Sequence, residues 1–94
     1  MSQLRALERL GPESLLERRE TVIADLEEWP GGLALVFGGK EVRLPAHASA
    51  ELEACFEAEE PFRIADLPGE LDGDGRLVLV RRLVREGFLR ITEA

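Results

Sequence analysis

The sequence predicts a single α+β domain, in which a three-stranded antiparallel sheet packs against three helices behind an N-terminal helical extension. Its 94 residues suffice for one hydrophobic core and leave no room for a second. The composition is 45% hydrophobic and 33% charged, whereas disordered chains combine low hydrophobicity with high charge. Apolar runs flank a Gly-Gly pair in the first half of the chain, and helical spacing of apolar residues dominates the second half.

The N-terminal residues predict a short helix over 2–10, with Leu4 and Leu7 on one side and a stop at Gly11-Pro12. A helix of this length is not stable by itself, so its leucines must pack on another surface. We expect them to pack on their own domain or on a second copy, and we favour a homodimer contact. Residues 13–19 predict one further helical turn. We therefore assign residues 1–20 to the extension and 21–94 to the domain.

Three short antiparallel strands are predicted between residues 21 and 44. Residues 21–28 begin with β-forming side chains and end at the turn signal of residues 29–32. The apolar run 33–37 and the alternating run 40–44 flank Gly38-Gly39, which is the pattern of a β-hairpin.

Helical spacing follows Pro45, where Ala48, Leu52, Cys55 and Phe56 recur on one face until Pro61 ends the segment. Residues 64–67 predict one or two helical turns. A last helix begins near Arg76, with Asp72 or Asp74 as its N-cap and Gly87 just after its end, and residues 88–91 alternate like a terminal strand. We expect Leu77, Val80 and Val84 on its inner face, beside Leu83.

This order of a sheet, a helix, a short helix, a longer helix and a returning strand is that of a winged-helix domain. Residues 37–91, FGGKEVRLPAHASAELEACFEAEEPFRIADLPGELDGDGRLVLVRRLVREGFLRI, resemble the C-terminal winged-helix region of bacterial JmjC-type cupin oxygenases, relatives of the ribosomal-protein hydroxylases. The resemblance rests on the strand ending in LP, on PF-x-I-x-DLPG, and on LVRRLVREGFL. It covers this accessory end of the family and not the catalytic barrel.

The resemblance implies no catalytic residue in this chain. Enzymes of that family hold iron(II) with two histidines and one carboxylate, and His47 is the single histidine here. The chain is therefore either a separately encoded domain or a piece of a larger oxygenase. We expect a non-enzymatic protein without a cofactor, which associates with a protein partner such as a cupin barrel, the substrate of that barrel, or itself.

The charges are unevenly distributed around a net charge of −7. Residues 51–75 carry nine acids against one base, giving −8, whereas residues 76–92 carry five arginines and one acid, giving +4. Arg76, Arg81, Arg82 and Arg85 of the last helix are the candidate contact residues for a nucleic acid or a protein partner. The acidic balance disfavours nucleic acid, because affinity for it comes mainly from neutralising phosphates.

Two alternatives remain open from the sequence. A DNA-binding winged-helix transcription regulator would use the arginines of residues 76–85. A leader-peptide-binding module would add the peptide at a sheet edge, in a groove beside the helix 75–86.

The remaining chemistry is limited by residue counts. One cysteine cannot close a disulfide within the chain, and it sits on the apolar stripe of a helix, which predicts a buried structural thiol. The sequence has no apolar run approaching the ~18 residues of a membrane span, and residues 1–10 lack the apolar core of a signal peptide. We therefore expect a cytoplasmic protein without a membrane partner.

Overall fold

The structure is a computed structural model that describes residues 7–93. It contains six strands: β1 (Leu15–Arg18), β2 (Ala24–Trp29), β3 (Gly32–Phe37), β4 (Lys40–Pro45), β5 (Phe62–Arg63) and β6 (Leu89–Glu93). Leu7 and Glu8 are helical, and residues 9–93 contain two α-helices, α1 (Ser49–Glu57) and α2 (Gly73–Arg85), and two short 3₁₀ turns, Ala46–Ala48 and Ile64–Asp66.

The strands form two antiparallel sheets of three strands each within the described residues. The hairpin sheet has the order β2-β3-β4, and the closing sheet has the order β5-β1-β6. This arrangement overturns the predicted fold, which had one three-stranded sheet and three helices. The terminal strand β6 does not return to the hairpin sheet but pairs with β1. The winged-helix prediction is therefore wrong.

The hairpin sheet itself confirms the three strands predicted between residues 21 and 44. Two-residue turns connect its strands, since Trp29 pairs with Gly32 and Phe37 pairs with Lys40. Leu35 and Val42 lie opposite each other on the inner face, and both are buried in the core. In β4, the polar residues on either side of Val42, Glu41 and Arg43, are exposed, because successive side chains of a strand point to opposite faces.

The closing sheet contains the largest departure from the sequence-based prediction. Residues 13–19 were expected to form a helical turn because Glu, Leu and Arg favour helices. Leu15–Arg18 instead form β1, the middle strand, with β6 on one side and β5 on the other. Leu16 is fully buried there. Pairing on both edges outweighs the weak helical propensity of four residues.

The closing sheet also crosses the predicted boundary at residue 20. The strand β1 belongs to the predicted extension, yet both of its partners belong to the predicted domain. Leu10 and Ser14, which precede β1, are buried as well.

The predicted middle helix is a single 3₁₀ turn, Ile64–Asp66. The preceding residues Phe62–Arg63 are recruited into the closing sheet as β5, and Pro68 follows closely, so the segment has no length for an α-helix. The predicted helix after Pro45 is confirmed as α1, which begins at Ser49 behind the turn Ala46–Ala48 and ends at Glu57, before Pro61.

The core is one cluster, to which both sheets and both helices contribute. Phe88 lies at its centre, fully buried, between α2 and β6. Its ring centroid is 5.6 Å from that of Phe37 in the hairpin sheet and 6.4 Å from that of Phe56 in α1. The guanidinium of Arg18 in β1 lies 5.1 Å from the same ring. Phe88 therefore connects β3, α1 and β1 at the junction between α2 and β6.

Replacing Phe88 with alanine is expected to lower the free energy of unfolding by about 3–5 kcal/mol, because the truncation leaves a cavity among β3, α1 and β1. Urea unfolding followed by circular dichroism measures the change. The matched variant Phe62→Ala removes a half-buried ring from the edge strand β5 and should cost clearly less. Equal losses in the two variants would contradict the central role of Phe88.

Candidate functional site

The helix α2 carries the four arginines that the sequence singled out, and its start is well defined. Asp72 is the N-cap, and its Oδ1 accepts a hydrogen bond from the backbone N–H of Gly75 at 2.7 Å. This confirms one of the two caps that the sequence offered. The helix ends at Arg85, and Gly87, whose φ is +90°, lies between that end and β6. The cap and the glycine therefore define where α2 begins and where it stops.

The inner face of α2 consists of four buried residues: Leu79, Val80, Leu83 and Val84. Leu77, which we predicted on this face, is only half-buried, and Leu79 takes the position closer to the core. The opposite face carries Val78, Arg81, Arg82 and Arg85, at the i, i+3, i+4 and i+7 positions of one helical surface. We call these four residues the α2 face.

The α2 face is unusual in its exposed apolar residue. The side chain of Val78 is 65% exposed, although a valine in a helix generally faces the core. The sequence signal for it was present, since Val78 has the helical spacing of the arginines. Its place in the apolar run of residues 77–80 predicts burial instead, so the sequence does not mark Val78 as a contact residue.

The four arginines have different environments. Arg76 is half-buried and lies outside the α2 face, where its Nη1 donates a hydrogen bond to the carbonyl oxygen of Ala65 at 3.2 Å. It therefore tethers α2 to the turn Ile64–Asp66. Arg82 donates from Nε to Oε2 of Glu86 at 2.9 Å. The side chains of Arg81 and Arg85 form no ion pair or hydrogen bond with any residue in the described range 7–93.

The two unpaired arginines border a surface cleft. Arg81 and Arg85 line a space of about 430 Å³ together with Leu7 and Glu8 of the N-terminal segment. The Leu7 side chain is only 6% exposed, so it packs on the core of its own chain. Leu4, the other candidate dimer contact, lies outside the described residues.

Glu86 organises the cations at the end of α2. Its carboxylate lies 2.9 Å from Nε of Arg82 and 3.3 Å from Nζ of Lys40, which belongs to β4. The Lys40 ammonium also donates to the carbonyl oxygen of Glu86 at 2.6 Å. These hydrogen bonds, from Arg82 first and Lys40 second, lower the pKa of the Glu86 carboxyl from its ordinary value of 4.5. The result is a link between α2 and the hairpin sheet.

Unlike Glu86, the acidic residue Glu51 is buried, and the sequence did not mark it as a candidate site residue. Glu51 in α1 is fully buried, and its Oε2 accepts a hydrogen bond from the backbone N–H of Leu71 at 2.7 Å. Its Oε1 has no hydrogen-bond partner among the described residues. The position was visible in the sequence, because Glu51 falls on the apolar stripe of Leu52 and Cys55. The carboxylate holds the loop that leads into Asp72 and α2.

The cysteine is buried as the sequence predicted. Cys55 is fully inaccessible, and burial, with a smaller effect of the Glu51 charge, raises the pKa of its thiol to about 12. The thiol therefore stays protonated at neutral pH. His47 is exposed in the turn Ala46–Ala48.

Two further findings concern the described residues as a whole. Within 7–93, no group of three or more His, Cys, Asp or Glu side chains is placed to hold a metal ion. Neither helix of this part of the chain is long and apolar enough to cross a membrane.

The chain was compared with known proteins. No protein-family model matches it, and no curated protein matches it.

The loop held by Glu51 yields a graded stability prediction for glycine-to-alanine variants. Gly69 has a φ of +111°, and a Cβ there would lie 2.2 Å from Oε1 of Glu51, so Gly69→Ala combines backbone strain with a collision. Gly87→Ala imposes strain alone, since no atom lies within 4 Å of its Cβ position. Gly11→Ala imposes neither. We expect losses of unfolding free energy of about 2–4, about 1–2 and about 0 kcal/mol in that order.

Chemical unfolding of the three variants under identical conditions measures this series. A loss in Gly69→Ala no larger than in Gly87→Ala would show that the Glu51 carboxylate does not constrain the loop.

The Glu86 link yields a pH dependence. A carboxyl with a lowered folded-state pKa stabilises the fold fully above its ordinary pKa, and that stabilisation is lost as the pH falls through the lowered value. The stability difference between the native chain and Glu86→Gln should therefore be largest near neutral pH and vanish well below the ordinary value of 4.5. Thermal unfolding across this range measures it. Glu59→Gln, at an exposed acid without an ion pair in the described residues, should show no such convergence.

Proposed function

We propose that this chain is a non-catalytic accessory domain that acts through protein–protein contacts, and that the α2 face is its contact surface. Protein–protein contact is the function that the sequence led us to expect, although the chain does not have the winged-helix fold expected with it. The site is a surface and not a catalytic centre.

The observation that carries the proposal is the combination of an exposed valine with two unpaired arginines. Val78 offers apolar area in the middle of α2, and Arg81 and Arg85 follow one and two turns later on the same face. Interfaces of proteins commonly have an apolar centre, with arginines that pair with carboxylates of the partner. A partner surface with an apolar contact and two or more acids fits this face.

Duplex DNA fits the same face less well. Three arginines lie on the α2 face, and one of them, Arg82, is already shared with Glu86. The adjoining residues 51–75 carry a charge of −8, and Debye screening leaves such repulsion effective over about 8–10 Å. Few phosphate contacts and a repelling neighbour disfavour binding. A transcription regulator is therefore not the function that we propose.

For the class of partner, we propose the one that the sequence resemblance to JmjC-type cupin oxygenases implies. A cupin barrel of that class, or its protein substrate, is the partner that we propose, in the cytoplasm. A two-fold contact between two α2 faces would bring Arg81 and Arg85 of both copies together. Like charges disfavour such a contact, so we propose a different protein and not a second copy as the occupant of this face.

The double variant Arg81→Glu with Arg85→Glu tests the proposal. We expect it to fold normally, because the two side chains lie opposite the buried face of α2 and pair with no described residue. Calorimetric titration of the chain with a purified JmjC-type cupin barrel lacking its own C-terminal region should show saturable binding. The double variant should lose at least about tenfold in affinity, or about 1.4 kcal/mol.

The matched control for the single variant Arg81→Glu is Arg63→Glu, which makes the same single charge reversal on β5, where Arg63 pairs with the exposed Glu13. It should leave the affinity unchanged. Salt-sensitive binding to a mixed-sequence DNA duplex at physiological ionic strength, abolished by the double variant, would overturn the protein-contact proposal in favour of a regulator.

A further inference from the structure

The strand β2 (Ala24–Trp29) is an open edge of the hairpin sheet. It pairs with β3 along its whole length, and on its other side no strand pairs with it within residues 7–93. The strand at the opposite edge of the sheet, β4, continues directly into the turn Ala46–Ala48. The backbone N–H of Ala46 in this turn donates a hydrogen bond to the carbonyl oxygen of Gly31. The outer side of the six-residue strand β2 is thus open to main-chain pairing.

The register defines which backbone groups point outward. Trp29 and Gly32 flank a two-residue turn, so they exchange hydrogen bonds with each other. In an antiparallel ladder the bonded pairs alternate, which places Asp25 and Glu27 in bonded pairs as well. The N–H and C=O groups of Ala24, Leu26 and Glu28 therefore point away from β3. Three residues offer a donor and an acceptor each to an added strand.

The side chains of β2 differ between its two faces. On the inner face, Ala24 and Leu26 are half-buried and pack against the edge of the core. On the outer face, Asp25 and Glu27 are exposed. The strand contains three acids and no base, and none of its acids has an ion-pair partner among the described residues.

We propose that the β2 edge binds an extended segment of a protein partner as a fourth strand of the hairpin sheet, and that this segment alternates basic with apolar residues. Its apolar side chains would continue the inner face and cover Ala24 and Leu26. Its basic side chains would lie beside Asp25 and Glu27 on the outer face. Main-chain hydrogen bonds supply affinity in this mode of recognition, and the alternating side chains supply specificity.

Charge decides against a second copy as the occupant. Two β2 strands paired edge to edge would bring their acids together across the ladder, and like charges on neighbouring strands are destabilising.

The surroundings of both ends of β2 also fit the proposed segment. Ile23, immediately before the strand, is 90% exposed and offers apolar contact. Beyond Glu28, a cleft of about 370 Å³ is lined by Trp29 and Glu53 among others, and can take a basic side chain.

This surface is separate from the α2 face. The helix α2 packs mainly against β6 and the turn Ile64–Asp66. The sequence suggested a peptide groove between this helix and an edge strand, and α2 does not form such a groove with β2. The two surfaces carry opposite charges. The inference therefore does not depend on the proposed function, and the double variant Arg81→Glu with Arg85→Glu should leave binding at β2 unchanged.

The test uses the whole chain and a fluorescein-labelled nine-residue peptide of alternating lysine and valine. Two matched peptides serve as controls: one with glutamate in place of lysine, and one with alternate backbone amides N-methylated, which keeps the charges and blocks pairing. Fluorescence anisotropy should show saturable binding of the lysine peptide. Each control peptide should bind at least about tenfold more weakly.

Amide hydrogen exchange gives the residue-specific result. On binding of the lysine peptide, exchange should slow at Ala24, Leu26 and Glu28, whereas Asp25 and Glu27 are already bonded to β3 and should change little. Glu28→Pro removes one outward N–H and should weaken binding more than Glu28→Gln, which removes the charge alone. Absence of binding, equal binding of the N-methylated peptide, or unchanged exchange along β2 would overturn the inference.

Discussion

The burial of the Phe88 ring among Phe37, Phe56 and Arg18 is the interaction on which the rest of the structure depends. Phe88 follows Gly87 at the point where α2 ends and β6 begins. Its position therefore fixes the direction of both elements relative to the hairpin sheet and α1. The stacking of the Arg18 guanidinium on the rings of Phe56 and Phe88 brings β1 to the same centre.

This centre determines where the charged surfaces lie. The inner face of α2 packs on the core. The opposite face, with Val78, Arg81 and Arg85, therefore points outward. The Lys40–Glu86–Arg82 contacts then connect the end of α2 to the hairpin sheet by its β3–β4 turn. The acids of β2 lie at the far edge of the same sheet, separated from β4 by β3. The chain thus presents a basic helix face and an acidic sheet edge as two distinct surfaces.

Much of the local structure was predictable, because it depends on near neighbours in sequence. The two Gly-containing turns of the hairpin sheet, the Asp72 cap and the Gly87 stop each need only a few consecutive residues. The candidate contact residues of α2 were predictable to the same extent. Helical spacing placed Arg81, Arg82 and Arg85 together on the outside of α2. It could not show that Arg82 is paired with Glu86, or that Arg76 is turned toward Ala65, because both depend on how α2 packs.

The sequence by itself determined the positions of the three strands of the hairpin sheet, of both α-helices and of the last strand, since periodicity, caps and turns are encoded locally. Only the tertiary structure decided that Leu15–Arg18 form a strand and that β6 pairs with it. The physical reason is the distance along the chain between the partners. The helical propensity of four residues is worth a fraction of what they gain by burying Leu16 and pairing with residues 46 to 78 positions away in the chain. That gain exists only once the core around Phe88 has brought those strands together.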